Sequence, residues 1–206
     1  MLNTISLTKQ PFEEIYNSED FTLENALIEH ELITQNSIHH PVFENCLFKN
    51  VTFIENDFEI LEINNCQFVN CDLSSEDYSK SSFFKSEFKE SKLVGTKLPE
   101  SYFSEVHFID CKMDYATFSD SKFKSTKFTD SNLTSSDFVH CTLQKTIFDQ
   151  NDLSEVSFLE TSLARIDLST CKLERLEVAK NQLHNCIINR EQAAEFAIQF
   201  LGIQIR

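Results

Sequence analysis

Glycine and proline are nearly missing from this chain: two and three residues among 206, namely Gly95, Gly202, Pro11, Pro41 and Pro99. So few glycines leave little room for the strained loops that build phosphate cradles or nucleophile elbows, and neither motif occurs. No Pro/Gly-rich linker divides the chain, so one folded unit fits its length better than two. Positive charge is also scarce. Eighteen Lys and Arg face 33 Asp and Glu, a formal net charge of −15. That is the reverse of what attraction to phosphate requires, so direct nucleic-acid binding is not expected and a basic partner surface is favoured. Nowhere do apolar residues run together over the roughly 18 positions a membrane helix needs. The start, MLNTISLTKQPF, lacks the charged beginning and long apolar stretch of a secretory leader. The expectation is a cytoplasmic protein without membrane contact.

What is present is a beat of five. From Leu23 to Ile188 every fifth residue is large and apolar, 34 times in succession. A period of five suits neither a helix nor a simple strand. It suits a chain that turns a corner every five residues, the mark of a solenoid. Two residues before each centre the side chain is mostly small, as at Cys46, Ser86, Thr126 and Ser131, and the other three positions are mainly polar. A slower beat of twenty places Phe48, Phe68, Phe88, Phe108, Phe128 and Phe148 in one column and Phe53, Leu73, Leu93, Met113, Leu133, Leu153 and Leu173 in another. Four units per turn follow, with about 8.5 turns one strand spacing apart and a rod roughly 40 Å long.

Residues that depart from the beat mark the ends and the irregular places. Residues 1–22 are expected to be an N-terminal cap and 23–42 an irregular first coil, because Phe21, Glu31, Asn36 and Pro41 occupy positions that should be small. The repeats span 23–188. In 189–206, Ala193, Phe196, Ala197, Phe200 and Leu201 take helical spacing. Asn189 and Gln192 are placed as a capping box and Gly202 as a left-handed stop. Ile203 and Ile205 read as a short strand. Within the repeats Asn56, Leu61, Glu76, Asn151, Ile166, Leu176 and Asn181 replace small residues. A buried carboxylate is costly, so the chain around Glu76 is expected to bulge and bring it to water.

Chemistry-bearing clusters do not emerge. All seven cysteines sit on the small inward position and read as buried hydrophobes, with a Cys46–Cys66 disulfide disfavoured. His39 and His40 have no cysteine or carboxylate at ligand spacing. No catalytic, cofactor or metal site is expected, and the chain is not read as an enzyme. The charge is uneven: residues 1–80 carry 15 acidic and 3 basic residues, −12, against 18 and 15, −3, in residues 81–206. Solubility alone accounts for some of this. Asp57, Glu59, Glu62, Asp72, Glu76 and Asp77 are the candidate acidic partner-binding face.

The segments CDL (Cys71–Leu73), SDF (Ser136–Phe138), SNL (Ser131–Leu133) and NDL (Asn151–Leu153) resemble the pentapeptide-repeat motif A-(D/N)-(L/F)-x-x. The resemblance implies an all-β, right-handed quadrilateral β-helix. The C-terminal segment INREQAAEFAIQFLGIQIR, with IDLSTCKLERLEV (Ile166–Val178) before it, is similar to the end of the Qnr quinolone-resistance proteins and their relatives in Gram-positive bacteria. There that segment forms a two-fold dimer, which makes Phe196, Phe200, Leu201 and Ile203 the expected interface. Within that group the implied function is mimicry of DNA, toward gyrase or topoisomerase IV, lowering sensitivity to fluoroquinolones. No insertion breaks the register from Phe43 to Ile188, so the chain resembles the loop-free members, where mimicry inhibits as well as protects. A non-catalytic adaptor rod for another partner, or immunity to a gyrase-directed toxin, is the alternative.

Overall fold

A computed structural model describes residues 6–204 of the chain. The beat of five becomes four faces that repeat every twenty residues. Strands on the first face stack in one seven-stranded parallel sheet, from Thr22–Glu24 through Val42–Glu44, Glu62–Asn64, Ser82–Phe84, Tyr102–Ser104 and Lys122–Lys124 to Thr142–Gln144. The second face stacks eight, from Thr8–Lys9 through Ala26–Glu29 and Leu47–Lys49 to Ile147–Asp149. The third and fourth faces begin as strand pairs, Leu32–Thr34 on Thr52–Ile54 and Ser37–His39 on Asp57–Glu59. They continue as parallel bridges such as Asp72↔Lys92 and Asp77↔Lys97. Every pairing joins residues twenty apart, apart from Thr8–Lys9, which pairs with Ala26–Leu27. The architecture is an all-β parallel solenoid of square section with one short helix at its end.

Each centre points inward. Phe48, Phe68, Phe88, Phe108, Phe128 and Phe148 form a stack with ring centroids 4.6–5.0 Å apart and planes within 15° of parallel. Face-to-face stacking is not the arrangement isolated rings prefer. Here the strand ladder sets the rise, close to the usual interstrand spacing, and the rings follow it. Shorter columns, Phe83–Phe103–Phe123 and Phe118–Phe138–Phe158, stack likewise.

The small position does more than save space. At several coils its side chain takes the backbone N–H of the residue twenty before it and donates to the carbonyl of the residue twenty-three before it. Thr161 Oγ1 accepts from Cys141 N at 2.7 Å and donates to Phe138 O at 2.6 Å. Ser121 does the same for Ser101 N and Leu98 O, and Cys66 for Cys46 N and Phe43 O. A hydroxyl or thiol can do both jobs, which alanine cannot. The cysteines are therefore polar partners as well as space fillers. All seven are free. Burial pushes the thiols of Cys111 and Cys141 up to about 12, and they stay protonated.

Corners are turned by left-handed backbone. Among the described residues, thirty-one non-glycine residues have positive φ, between 47° and 68°, and all but Phe21 fall at multiples of five. Scarcity of glycine therefore does not exclude tight corners. Mostly Asn, Asp and other polar residues carry them, with Ile60 and Tyr115 among the exceptions, at roughly 1–2 kcal/mol each. Stacked side-chain amides offset part of this, as where Asn65 Nδ2 donates to Asn45 Oδ1 at 2.7 Å and Asn70 Nδ2 to Asn50 Oδ1 at 2.6 Å.

The ends differ from expectation in several places. Residues 23–42 are regular, with all four strands in register on the next coil. The ladder is carried by backbone, so Pro41 still accepts from Glu62 N through its carbonyl. Glu31, in place of a small residue, takes Phe12 N with its carboxylate at 3.0 Å. The stack starts earlier, at Thr8–Lys9, and a 3₁₀ helix, Phe12–Asn17, drops Phe12 and Ile15 into the open end. Finally, Asn181 faces water while Gln182 turns inward, because a 3₁₀ helix over Lys180–Leu183 slips the beat by one.

The far end is closed by α1, Arg190–Leu201. Asn189 and Gln192 form the expected capping box, and Gly202 ends α1 at φ 62°. Gln192 Nε2 also donates to Leu168 O and Cys171 O at 2.8 and 2.7 Å, and Gln199 Nε2 to Leu176 O at 3.2 Å. The helix thus supplies donors to carbonyls that the next coil would otherwise satisfy. Ile203 follows without regular structure rather than in a strand, and Ile205 lies outside the described residues.

Phe108 lies between Phe88 and Phe128, 5.0 Å from each ring. Phe108→Ala should cost about 3–5 kcal/mol, read as a lower urea midpoint. A loss below about 1 kcal/mol would show that the stack relaxes into the gap.

Candidate partner-binding surface

The six candidate acidic residues do not share one face. Asp57, Glu59 and Asp77 lie on the fourth face, with Asp57 paired to Asp77 one coil on. Asp72 lies on the third face and Glu62 on the first, around the next corner. Glu76 is inside. Acidic charge therefore wraps the N-terminal half rather than forming a plate.

Several of these carboxylates have basic side chains one coil away. His39 Nδ1 stands 2.9 Å from Glu59, Lys97 Nζ 3.8 Å from Asp77 and Lys92 Nζ 3.4 Å from Asp72. His40 Nε2 is 3.7 Å from Glu62. Carboxylates thus do stand against His39 and His40, a contact that linear spacing does not show and the coil period creates. Among the described residues no group of three or more His, Cys, Asp or Glu forms a metal set. At Asp72, burial pushes the carboxyl up, but Ser74 and Lys92 outweigh it and hold the group below its ordinary value. Its ionised form therefore stabilises the fold at neutral pH, and that contribution is lost as pH falls through the carboxylate range.

Glu76 overturns the expected bulge. The coil stays in register, with Asp77 bridged to both Asp57 and Lys97, and Glu76 is 4% exposed. It occupies the small position and performs half of that position's work. Its Oε2 accepts from Asn56 N at 3.1 Å and from Asn56 Nδ2 at 3.2 Å. Asn56 in turn accepts from Asn36 N and Nδ2 and donates to Ile33 O at 2.9 Å, and Tyr16 donates to Asn36 at 2.7 Å. A polar ladder, Tyr16–Asn36–Asn56–Glu76, runs up one column from an exposed Tyr16 to a buried Glu76. Linear reading missed it, although three polar residues twenty apart are its signal. Glu76 is part of this ladder and not of an outer face.

At the other end, Phe196 is 8% exposed and packs into the chain's own core, with Phe200 half-buried beside it. Leu201 and Ile203 are exposed, at 62% and 45%, together with Ile187 and Ile198. Of the four residues expected at an interface, two are thus covered by their own coil and two face outward. A hollow of about 620 Å³ lies between α1 and the last coil, lined by Leu173, Leu176, Phe196 and Ile198 among others.

Family profiles match this arrangement: one described as pentapeptide repeat region over residues 61–138 and one described as pentapeptide repeats (8 copies) over 136–175. The chain belongs to the pentapeptide-repeat family. No curated protein matches its sequence. Among solved structures it is similar to HetL, involved in heterocyst differentiation regulation in the cyanobacterium Nostoc, at 12% identity, with TM-score 0.46 over 81% of this chain and 86% of that one. It is also similar to a trypsin-treated form of QnrB1, a plasmid-mediated fluoroquinolone resistance protein, at 16% identity, with TM-score 0.42 over 87% of this chain and 97% of that one. A pentapeptide-repeat protein of the Arabidopsis thaliana thylakoid lumen shares 19% identity, with TM-score 0.20 over 44% and 67%. Among the described residues no helix is long and apolar enough to cross a membrane.

The ladder predicts opposite outcomes for two substitutions. Glu76→Gln keeps an acceptor for Asn56 and the volume of the side chain, so thermal stability should hold. Glu76→Ala strands the Asn56 N–H and should cost about 1–3 kcal/mol. Equal destabilisation by both would mean that the ladder needs the carboxyl group itself and not merely an acceptor.

Proposed function

We propose that this chain is a non-catalytic DNA mimic that acts in the cytoplasm. It binds a type II DNA topoisomerase, gyrase or topoisomerase IV, and changes its response to fluoroquinolones. One observation carries the reading: a parallel solenoid whose residues 1–80 hold −12 of the net charge of −15, with surface carboxylates spread over at least three faces. A duplex presents charge all round its axis in the same manner, and a groove built to hold one offers complementary cations. Association would be steered by charge and weakened by salt. The likeness of the C-terminal segment to Qnr proteins supports the same target.

The supercoiling activity of purified gyrase, with and without ciprofloxacin, tests this. The protein should inhibit supercoiling or relieve drug-induced cleavage, with an effect that falls as salt rises. No change at large molar excess would remove the topoisomerase reading and leave the adaptor rod.

A two-fold dimer joined at α1 would place the acidic halves at the two tips of a longer rod. Leu201, Ile198 and Ile187 are the exposed apolar residues that a partner copy would cover. Leu201→Asp with Ile198→Asp should give a monomer in sedimentation with unchanged melting. Because Phe196 packs inward, Phe196→Asp should instead loosen the end of the coil. A dimer that survives Leu201→Asp with Ile198→Asp would put the contact elsewhere.

A further inference from the structure

The coil period gives cations in this chain a regular companion. Lys9 and Lys49 both reach Glu29, while Lys80 pairs with Glu100, Lys92 with Asp72, Lys97 with Asp77, Lys172 with Asp152 and Arg175 with Glu155, each carboxylate twenty residues away in the same column. Ten of the described Lys and Arg residues depart from this pattern, and five of them gather on one edge. Lys122 and Lys124 lie on the first face and Lys127 on the second, within a single coil. Lys145 and Arg165 stand on the corner between those faces, one and two coils further on.

The columns explain why they are unpaired. Lys122 lies between Tyr102 and Thr142, and Lys124 between Ser104 and Gln144. Lys127 lies between His107 and Ile147. None of these rungs carries a carboxylate. His107 is held below its usual range by burial and by the neighbouring Lys127. On the second face, Asp149 accepts from Thr170 Oγ1 and Asp167 from Ser169, so these carboxylates are engaged by hydroxyls. All five cations are exposed. Among the described residues none of them forms an ion pair with another side chain.

The edge also has an apolar centre. Ile147 is 46% exposed, one rung from Lys127 and two residues from Lys145. We propose that this edge is a second interaction surface, opposite in sign to the N-terminal half, and that it takes an acidic segment of a partner protein bearing an apolar side chain. Charge complementarity sets the sign of the partner. Ile147 decides between anions, because a phosphate backbone has nothing apolar to place there, whereas a peptide has. The inference does not depend on the topoisomerase reading.

Fluorescence anisotropy of three labelled probes at low salt tests it: a Glu-rich peptide with one Leu, the same peptide with Ser for Leu, and a DNA duplex. The Leu peptide should bind most tightly, and its binding should fall with salt. Lys122→Glu with Lys124→Glu and Lys127→Glu should weaken it roughly tenfold or more. Lys112→Glu, an exposed lysine on the third face, should leave it unchanged. Ile147→Ser should erase the preference for Leu over Ser. Lys145→Glu with Arg165→Glu provides an independent variant if the triple substitution melts early. Absence of binding to the unaltered protein, or affinity indifferent to both sets of charge reversals, would overturn the proposal. Tighter binding of the duplex than of the Leu peptide would overturn it in favour of nucleic acid.

Discussion

Parallel strand pairing at a fixed rise is the constraint from which the rest follows. Once residue n pairs with residue n+20, every side chain meets its counterpart one strand spacing along the axis. Apolar counterparts stack, as the phenylalanines from Phe48 to Phe148 do. Hydroxyls and amides chain together, and charges attract or repel along columns. A mixed surface thus resolves into vertical strips, each with its own chemistry. Stability is correspondingly local: each coil depends on its neighbours, and both ends need closing.

The two ends are closed differently. At the start, Phe12 and Ile15 enter the core from a 3₁₀ turn, and the Glu31 carboxylate takes a backbone donor. At the finish, the amides of Gln192 and Gln199 reach into the last coil and donate to its carbonyls. An end of a parallel sheet exposes donors or acceptors that another chain can pair with. Covering them blocks edge-to-edge growth of the rod. It leaves Leu201, Ile203, Ile198 and Ile187 as apolar residues that face outward at that end.

The fold was almost wholly legible in the sequence, because a beat of five and a beat of twenty are linear signals. What escaped the linear reading depends on contacts twenty residues apart that are polar rather than apolar. Glu76 reads as a fault in the pattern until Asn36 and Asn56 are placed beneath it in the same column. His39 and His40 look unaccompanied until Glu59 and Glu62 arrive one coil later. The acidic residues read as one face because they are near in sequence, whereas five residues carry the chain around a corner. Glycine was a misleading guide as well: where each corner can bond to the coils beside it, asparagine and even lysine hold a left-handed conformation.

The same column logic bears on how such a rod binds. A carboxylate with a cation in its own column projects less field than a bare one, since opposite charges a few ångströms apart largely cancel beyond a Debye length. Asp77 and Asp72, paired with Lys97 and Lys92, therefore contribute less at a distance than their number implies. Asp57 has only Ser37 and Asp77 as column neighbours, and it accepts from Ser37 Oγ at 3.2 Å. Long-range attraction of a basic partner thus falls to Asp57 and to acids such as Glu24 and Glu44, which stack on each other without a cation between them. Like charges stacked in this way repel, and the fold bears that cost. A basic surface laid along the column would remove it, so part of the favourable energy of docking would be the relief of repulsion already present in the free rod.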